Sequence, residues 1–413
     1  MHATIVHKYG GTSVADAQCL RGVAAKVASC HRLGQRVVVV VSAMGGTTGQ
    51  LVDLARSVSH DPDRRELDVL LASGEQASMS LLAMALRDLG VDAVSLTGAQ
   101  CGILTNAVHG NARIVEIRPG RVLEELDRGQ VVVVAGFQGA GPTGEVTTLG
   151  RGGSDTTAVA LAAALDAEYC DIFTDVEGVW SADPRLVESS RPLDRLHADE
   201  MEALGWHGAR VLKAEAVEFA RDNGVTIRVG STFGGDHATE VSVGDTAGAW
   251  QPERPAVVGV AGRKDLVRLA LDLDPPGELG PLAETVAGYD LIFSNLDPRG
   301  RSELYLSSEE MPDLEAFRTA LAERFGGSVE TSDALGAISL VGFGIGSRPA
   351  DLIEAWRTVR RHDLSVIESF TDRETLSFIV PVERVDEGVR LLHRTFVEGV
   401  DATSAPVTLA TAH

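Results

Sequence analysis

The chain has 413 residues, 44% of them hydrophobic, which predicts two or three domains with separate apolar cores. Its 37 basic and 59 acidic side chains give a net charge of −22, which disfavours nucleic acid and anionic membranes as partners. The four cysteines, at positions 19, 30, 101 and 170, form no CxxC pair, so we expect neither disulfides nor a zinc site, and a reducing, cytoplasmic location.

Short β-branched runs alternate with longer amphipathic stretches over the first 230 residues. Strands are predicted at Thr4–Val6, Val37–Val41, Ala93–Leu96, Val131–Ala135, Tyr169–Phe173 and Thr226–Val229. Helices are predicted at Gln18–Leu33, Arg64–Leu89, Gly120–Arg128, Ser154–Leu165 and Arg210–Asn223. Fully apolar strands between helices indicate an α/β fold, with a mainly parallel sheet covered by helices on both faces. The sequence opens on a strand pattern without a secretory leader, and its apolar runs are too short to span a bilayer.

A segment rich in Gly, Pro and polar residues, 243–256, is predicted to be a linker. It separates a first domain, 1–242, from a second region, 257–413. Because the linker lacks any helical or strand periodicity, the two parts are expected to fold around different cores.

Two stretches of the second region have similar patterns. Val257–Gly262 and Ile338–Gly344 each begin an apolar strand that is followed by a helix, a strand pair and another helix. This repetition predicts two βαββαβ units, at about 257–335 and 336–413, which are either consecutive or interleaved.

The segment Lys-Tyr-Gly-Gly-Thr-Ser follows the first predicted strand and contains Lys8, Gly10 and Gly11. Phosphoryl transfer needs a fixed positive charge and backbone N–H groups near the phosphates, and glycines allow the backbone to approach closely. A plain strand-to-helix turn with an exposed lysine explains this segment equally well on its own. The GxxxxGK[ST] order of a Walker loop is absent.

Two further glycine-rich segments are Ser42–Thr48, which follows the second predicted strand, and Thr147–Thr157, which leads into the predicted helix Ser154–Leu165. The carboxyl edge of a parallel sheet is where ligands bind in open α/β folds. In the later segment, Arg151 can bind a carboxylate through two parallel hydrogen bonds, and Asp155 can orient Lys8 or a ligand amine. A helix cap at Ser154 or Asp155 is the structural alternative, although a cap does not require the preceding Arg-Gly-Gly.

Taken in order, seven segments resemble the aspartate kinase family: Lys8–Ser13, Ser42–Gly45, Ser73–Glu75, Gly136–Gly139, Leu149–Thr157, Thr174–Trp180 and Asp183–Arg185. The resemblance is close over residues 1–230 and looser beyond, where the chain looks like the family's paired ACT-type regulatory units. It implies an amino acid kinase fold, ATP and Mg²⁺, and L-aspartate as the phosphoryl acceptor. It also implies a homo-oligomer with an amino-acid effector, lysine or threonine, at the ACT-type region.

The resemblance also implies residue roles. The transferring phosphoryl group would be held by Lys8, Gly10 and Gly11, with Asp155 orienting Lys8. Glu75 would bind the substrate ammonium and Arg151 its α-carboxylate. The pocket for the reacting carboxylate would be lined by Ser42, Thr48 and Ser154. The ATP site would include Lys8, Thr174, Asp175, Trp180, Asp183, Arg185 and Arg210. Effector contacts would come from Asp274, Gly277, Asp290, Ser294 and Asn295.

Several of these roles have structural alternatives. Glu75 could be a helix N-terminal acid favoured by the macrodipole, Trp180 a surface aromatic residue, and Asp183 part of a simple turn. No dedicated metal site is expected, because Mg²⁺ usually enters with the nucleotide phosphates.

The sequence departs from the family pattern near the predicted kinase site. The family usually has Asp at the position of Gly46 and Arg at the position of Gln76. It usually has a segment containing Arg in place of Lys213–Glu215, and a basic residue in place of Gly230. Three of these changes remove positive charge. These changes leave two alternative functions open: a paralogous kinase that acts on an aspartate analogue, or a catalytically weak amino-acid-sensing subunit. An acetylglutamate kinase would explain the fold, but not the tandem C-terminal units or the ammonium role of Glu75.

The predicted effector region departs as well. Ser294 stands where the family usually has Gln, which removes an amide that could both donate and accept hydrogen bonds. The stretch from Gly277 to Asn295 is shorter than usual by roughly one helical turn, about four residues. We therefore expect feedback inhibition to be weak or altered.

Overall fold

The structure is a computed structural model that describes residues 3–150, 152–209, 211–235, 237–244, 257–271, 279–286, 289–296, 302–309, 311 and 314–398. Its described residues form two compact units whose chain segments alternate. The first unit draws on Met1–Val179, Pro192–Glu202 and Arg210–Trp250, and the second on Trp180–Arg191, Ala203–Ala209 and Gln251–His413. The assignment of catalytic and regulatory roles to residues 1–242 and 257–413 remains a prediction.

The first 244 residues contain seven α-helices within their described part, besides a short 3-10 turn at Gly11–Val14. They are α1 Ala17–Arg32, α2 Thr47–Val58, α3 Arg64–Asp88, α4 Gly120–Asp127, α5 Gly153–Ala164, α6 Ala198–Trp206 and α7 Ala214–Asn223. The strands of the same stretch are β1 Thr4–Tyr9, β2 Arg36–Val41, β3 Ala93–Leu96, β4 Ile103–Thr105, β5 Ile114–Ile117, β6 Val131–Ala135, β7 Gln138–Ala140, β8 Val146–Thr148, β9 Cys170–Thr174, β10 Arg195–His197, β11 Ile227–Ser231 and β12 Ala238–Ser242.

Eight strands form the main sheet in the order β10-β12-β11-β9-β1-β2-β6-β3. All neighbours are parallel except β11 and β12, which are antiparallel. The valine runs of β2 and β6 are almost wholly buried, as strands covered on both faces require. The predicted α/β class with a mainly parallel sheet is therefore confirmed.

The register of the central strands decides where the connecting loops lie. Tyr9 at the end of β1 pairs with Val41 of β2 and with Phe173 of β9, and Val41 pairs with Ala135 of β6. The loops after all four strands consequently leave the same edge of the sheet. The predicted glycine segments at Gly10 and Ser42 are two of these loops.

A second, smaller sheet has the order β5-β4-β7-β8. Each of its strands has only three or four residues, and the sequence predicted none of them. Its last strand, β8, leads into the loop that precedes α5. Helix α2 was also missed, and α7 begins at Ala214 rather than at the predicted Arg210, which lies outside the described residues.

Helix α3 has 25 residues and is apolar and long enough to cross a membrane by length and composition alone. In the first unit, however, it packs against α1, β3, β6 and β8 and buries both Asp68 and Glu75. Gly74 lets it approach the loop after β2, because a Cβ on Gly74 would lie 2.9 Å from the Ala43 side chain. These contacts are those of a core helix.

The second unit contains a six-stranded sheet in the order β14-β15-β13-β16-β18-β17. Its strands are β13 Gly259–Leu271, β14 Leu291–Asn295, β15 Ser302–Ser307, β16 Val329–Val341, β17 Glu368–Thr371 and β18 Thr375–Pro381, all with antiparallel neighbours. Its further helices are α8 Leu279–Val286, α9 Leu314–Phe325, α10 Pro349–Arg361 and α11 Val385–His393.

The two long strands β13 and β16 each run through both halves of this sheet. The first part of β13 pairs with the last part of β16, from Gly259 opposite Val341 to Arg263 opposite Ala337. After a register shift, the last part of β13 pairs with the first part of β16, as Leu271 does with Val329. Separate apolar clusters pack on the two halves.

Candidate active site

Lys8 and Asp155 form a buried ion pair at the edge of the main sheet. Lys8 is the penultimate residue of β1, Asp155 lies in the first turn of α5, and their residues are 9% and 8% exposed. The Lys8 Nζ atom is 2.5 Å from Asp155 Oδ1. A Cβ on Gly10 would lie 3.5 Å from the same Nζ, so backbone without a side chain borders the ammonium group. A fixed cation beside bare backbone can bind a phosphate.

The first two glycine loops contact each other through their backbones. The Gly45 N–H donates to the Gly11 carbonyl at 3.0 Å, and Gly45 has a positive φ of 49°. A Cβ on Gly11 would lie 2.9 Å from the Ala43 carbonyl oxygen, closer than Cβ atoms normally approach. Glycine at position 11 therefore allows the loops after β1 and β2 to meet.

The Glu75 carboxylate contacts the backbone of the second glycine loop, which follows β2. Its residue is 4% exposed, and Oε1 accepts a hydrogen bond from the Ala43 N–H at 3.0 Å. Its Oε2 atom is buried and has no hydrogen-bond partner among the described residues. Burial raises the pKa of Glu75 to about 7, although the Ala43 N–H opposes this rise. A buried carboxylate with one unused oxygen can receive a cationic ligand group.

Glu75 lies in the interior of α3, so the interpretation of this residue as a helix N-terminal acid is wrong. The capping alternative for the third loop is wrong too. Helix α5 begins at Gly153 after a left-handed Gly152, and neither Ser154 nor Asp155 caps it. Both polar residues occupy the first turn instead. Arg151 lies outside the described residues.

The residues predicted to line the pocket of the reacting carboxylate lie on different elements of the first unit. Ser42 follows β2 and is half-buried, and its N–H donates to the Tyr9 carbonyl at 3.1 Å. Ser154 is buried beside Gly136, where an added Cβ would lie 2.7 Å from the serine Oγ. Thr48 lies in the first turn of α2 and is half-buried. Ser42 thus follows β2, and Ser154 lies beside Gly136, which follows β6, at the edge that also carries Lys8.

Thr174 ends β9 and Asp175 follows it at the same sheet edge. The Thr174 hydroxyl donates to Asp175 Oδ1 at 3.0 Å, and the Thr174 carbonyl accepts the Thr232 N–H at 2.9 Å. The hydroxyls of Thr232 and buried Ser13 are 2.6 Å apart. The loop after β11 is thereby joined to the first glycine loop. Thr232 was not identified from the sequence, because it lies beyond any glycine motif.

The remaining described residues predicted to bind ATP do not belong to the first unit. Trp180 is half-buried, while Asp183 and Arg185 are exposed members of the second unit. These two side chains pair with each other, with Arg185 Nη2 2.8 Å from Asp183 Oδ2. This contact lowers the pKa of Asp183. Arg210 lies outside the described residues.

The predicted effector residues are only partly described. Asp290 is half-buried, and Ser294 and Asn295 are exposed on the edge strand β14. The Asn295 side-chain amide donates to Glu368 Oε1 at 2.8 Å, which joins β14 to β17. Asp274 and Gly277 lie outside the described residues.

No group of three or more His, Cys, Asp or Glu residues within the described ranges could hold a metal ion. The edge of the main sheet instead offers one buried cation, glycine-loop backbone and a carboxylate with a free oxygen. This set suits a ligand pair that carries phosphates and an ammonium group.

Comparison with known proteins gives consistent matches. The profile of the amino acid kinase family matches residues 3–231. The chain is 39% identical to an aspartokinase from Corynebacterium efficiens over 414 residues, covering 97% of each protein. It is 40% identical to an aspartokinase from a Bacillus species, covering 95% of this chain and 97% of the relative. The crystal structure of E. coli aspartokinase III in complex with aspartate and ADP has a TM-score of 0.78 and 24% identity, covering 94% of this chain and 99% of that chain, which supports the fold alone.

Proposed function

Because the chain belongs to the amino acid kinase family and, within it, to the aspartokinases, we propose that it phosphorylates the side-chain carboxylate of L-aspartate with ATP. The products are 4-phospho-L-aspartate and ADP. The observation that carries this proposal is the sheet edge that combines the Lys8–Asp155 pair with the half-satisfied Glu75 carboxylate. The first serves phosphoryl transfer and the second an amino-acid ammonium group.

Catalysis by this chain consists of positioning and charge neutralisation. The Lys8 ammonium offsets negative charge on the phosphoryl group in transit, while N–H groups around Gly10 and Gly11 contact its oxygens. Asp155 keeps Lys8 fixed, so that the cation does not have to reorganise during transfer. The aspartate carboxylate oxygen attacks phosphorus directly, and the bond from phosphorus to the ADP oxygen breaks. No covalent enzyme intermediate is required.

The acceptor site follows from the charges of aspartate. Its ammonium group pairs with Glu75 Oε2, and its α-carboxylate pairs with Arg151. Ser42, Thr48 and Ser154 line the position of the reacting carboxylate. Glutamate would place that carboxylate one methylene further from the ammonium site, so it is the natural competitor to test.

The nucleotide is bound by Lys8 together with further residues of the sequence motifs. Of these, Thr174 and Asp175 lie in the same unit as Lys8. The assignment of Trp180, Asp183, Arg185 and Arg210 rests on the sequence resemblance alone. Magnesium would enter with the ATP phosphates and neutralise their charge, and no side chain of this chain is assigned to it.

We also propose that residues 257–413 are an ACT-type regulatory region, that the enzyme is a cytoplasmic homo-oligomer, and that lysine or threonine is its effector. Asp274, Gly277, Asp290, Ser294 and Asn295 are the proposed effector contacts. The antiparallel sheet with helices in the second unit supports the ACT-type assignment. Light scattering at micromolar concentration should give a dimer or a larger assembly, and a monomer would contradict the oligomer.

A coupled ADP-release assay tests the activity directly. We expect turnover with L-aspartate and Mg-ATP, and much lower rates with glutamate and N-acetylglutamate. If the enzyme prefers an aspartate analogue, the proposed substrate is wrong but the proposed reaction still holds. ADP release that depends on none of these acceptors would overturn the proposed function, and a Lys8→Ala variant provides the inactive control.

A further inference from the structure

A second buried carboxylate lies on α3, one that the proposed mechanism does not use. Asp68 is 1% exposed, and it accepts hydrogen bonds from the Thr148 hydroxyl at 2.5 Å and the Gly110 N–H at 3.1 Å. The Nδ1 atom of His109 is 2.8 Å from its Oδ2. One buried side chain therefore connects α3 to two other segments of the first unit.

Both segments border the third glycine loop. Thr148 is the last residue of β8, directly before Leu149 and Gly150. His109 and Gly110 lie in the turn of the β4–β5 hairpin, and a Cβ on Gly150 would lie 2.9 Å from the Oδ1 atom of the adjoining Asn111. The start of the third loop is thus enclosed by the partners of Asp68.

Asp68 and Glu75 lie on the same side of α3. They are separated by seven positions, about two turns of a helix with 3.6 residues per turn. One end of this helical segment holds the carboxylate proposed to bind the substrate ammonium. The other end holds the start of the loop that leads to Arg151, the proposed partner of the substrate α-carboxylate.

We propose that Asp68, with His109 and Thr148, is a positioning group that holds the start of the third loop at a fixed distance from Glu75, the proposed contact of the substrate ammonium. This inference rests on the proposed function. Asp68 touches no substrate, and it acts by holding the start of the third loop against the helix that carries Glu75. A displacement of about 1 Å in such contacts can cost roughly 10²-fold in rate. The proposed nucleotide contacts Thr174 and Asp175, at the end of β9, make no hydrogen bond with Asp68, His109 or Thr148 in the described part of the chain.

Two neighbouring threonines of β8 allow a matched test. Thr148 and Thr147 are both buried, and each hydroxyl makes a short side-chain hydrogen bond. The Thr147 hydroxyl is 2.6 Å from that of Thr105 on β4 and does not contact Asp68. Thr148→Val and Thr147→Val therefore remove the same atom from the same strand, but only the first affects α3.

The experiment measures KM for L-aspartate and for ATP in the full-length chain. We expect Thr148→Val to raise the aspartate KM about tenfold and to change the ATP KM by less than about twofold. Thr147→Val should leave both within about twofold, and Thr148→Ser, which restores the hydroxyl, should return the aspartate KM close to the wild-type value. The midpoint of urea unfolding, measured for each variant, verifies that the two valine variants are comparably folded.

Equal effects of the two valine variants on the aspartate KM, or equal increases in both KM values for Thr148→Val, would overturn the inference and leave the proposed function intact. If Thr148→Val does not fold, His109→Ala replaces it, because this side chain is partly exposed. It should raise the aspartate KM selectively, and an unchanged value would also overturn the inference. Absence of aspartate-dependent turnover in the wild-type enzyme would overturn the proposed function and this inference together.

Discussion

The Glu75 carboxylate accepts a hydrogen bond from the Ala43 N–H at 3.0 Å, while its other oxygen is buried without a partner among the described residues. This arrangement provides a carboxylate oxygen that can pair with a cationic group. Burial raises the pKa of Glu75 to about 7, so a substantial part of the free protein carries a neutral Glu75 near neutral pH. A bound ammonium group would favour the charged form and lower that pKa.

Aspartate binding should therefore improve as the pH rises through about 7. Below this pH the neutral form of Glu75 predominates and cannot pair with the substrate ammonium, so the aspartate KM should rise about tenfold per pH unit. Above pH 8 it should level off. Steady-state kinetics from pH 6 to 8.5 measure this profile, with the ATP KM as the internal control. A flat aspartate KM profile would contradict the ammonium role.

The same pKa predicts a conflict between stability and binding. Between pH 4.5 and about 7 the native state binds more protons at Glu75 than the unfolded state, so stability decreases as the pH rises through this window. The loss is roughly 3 kcal/mol at pH 8. Glu75→Gln should avoid it, and should be more stable than wild type at pH 8 but bind aspartate poorly. Urea unfolding at pH 5 and 8 measures the difference, and Glu124→Gln, an exposed substitution, should show none.

His207 should produce the opposite slope in the second unit. Burial lowers its pKa to about 4, and its Nδ1 is 3.0 Å from the Ser339 hydroxyl, which is 2.7 Å from that of Ser377. Between pH 6.5 and 4 the unfolded state binds more protons at this histidine, so stability decreases as the pH falls. The cost is roughly 3 kcal/mol at pH 4. His207→Gln should flatten the pH dependence of unfolding in this window. An unchanged slope would show that His207 is already protonated or accessible.

Removal of the Lys8 charge should affect catalysis and stability separately. Lys8→Met should lower turnover by roughly 10³-fold or more, because the cation acts on transition-state charge. It should also destabilise the protein by about 3–5 kcal/mol, since Asp155 is left as an unpaired buried charge. The double variant Lys8→Met with Asp155→Asn should regain most of that stability but no activity. Recovered turnover in the double variant would contradict the assigned role of Lys8.

Feedback inhibition should be weak or altered. Ser294 offers a shorter hydrogen-bonding side chain than the glutamine that the family usually has. Asn295 is already hydrogen-bonded to Glu368, so an effector would have to displace this contact. A ligand inhibits only by its differential affinity for two states, and a weakened pocket reduces that difference. Activity should be assayed with millimolar lysine and threonine, singly and together. Strong inhibition below 1 mM by either would refute the prediction.

The sequence predicted the parts of the fold that are encoded in long, uniform patterns. The valine runs of β2 and β6 require burial on both faces, which only a covered parallel sheet provides. Helix α2 buries no residue completely, although Leu51, Leu54, Ala55 and Val58 have a helical spacing that was missed beside the glycine segment. The short strands of the β5-β4-β7-β8 sheet were missed because three or four residues show too little alternation.

The candidate site also contains residues whose roles the sequence predicts and residues whose roles it does not. Lys8 and Asp155 could be proposed to meet because Lys8 follows the first predicted strand and Asp155 lies at the start of the predicted helix Ser154–Leu165. The pKa of Glu75 depends on burial by distant segments, so no local pattern predicts it. Asp68 follows Arg64-Arg65-Glu66 at the start of α3 and reads as an ordinary solvated acid. Its role appears only when Thr148, eighty positions later, is placed beside it.

The half of the antiparallel sheet that carries β17 and β18 uses the first part of β13 and the last part of β16, so it is not encoded by one uninterrupted piece of the gene. The other half, from the last part of β13 to the first part of β16, is inserted within it. A fragment starting at residue 336 would retain α10, β17, β18 and α11, but its first strand would lack the neighbour supplied by β13. That exposed edge would pair with other chains or aggregate. Recombination can therefore transfer the half with β17 and β18 only together with the half inserted in it, and a premature stop codon within the inserted half would leave the outer half with only its first strand segment.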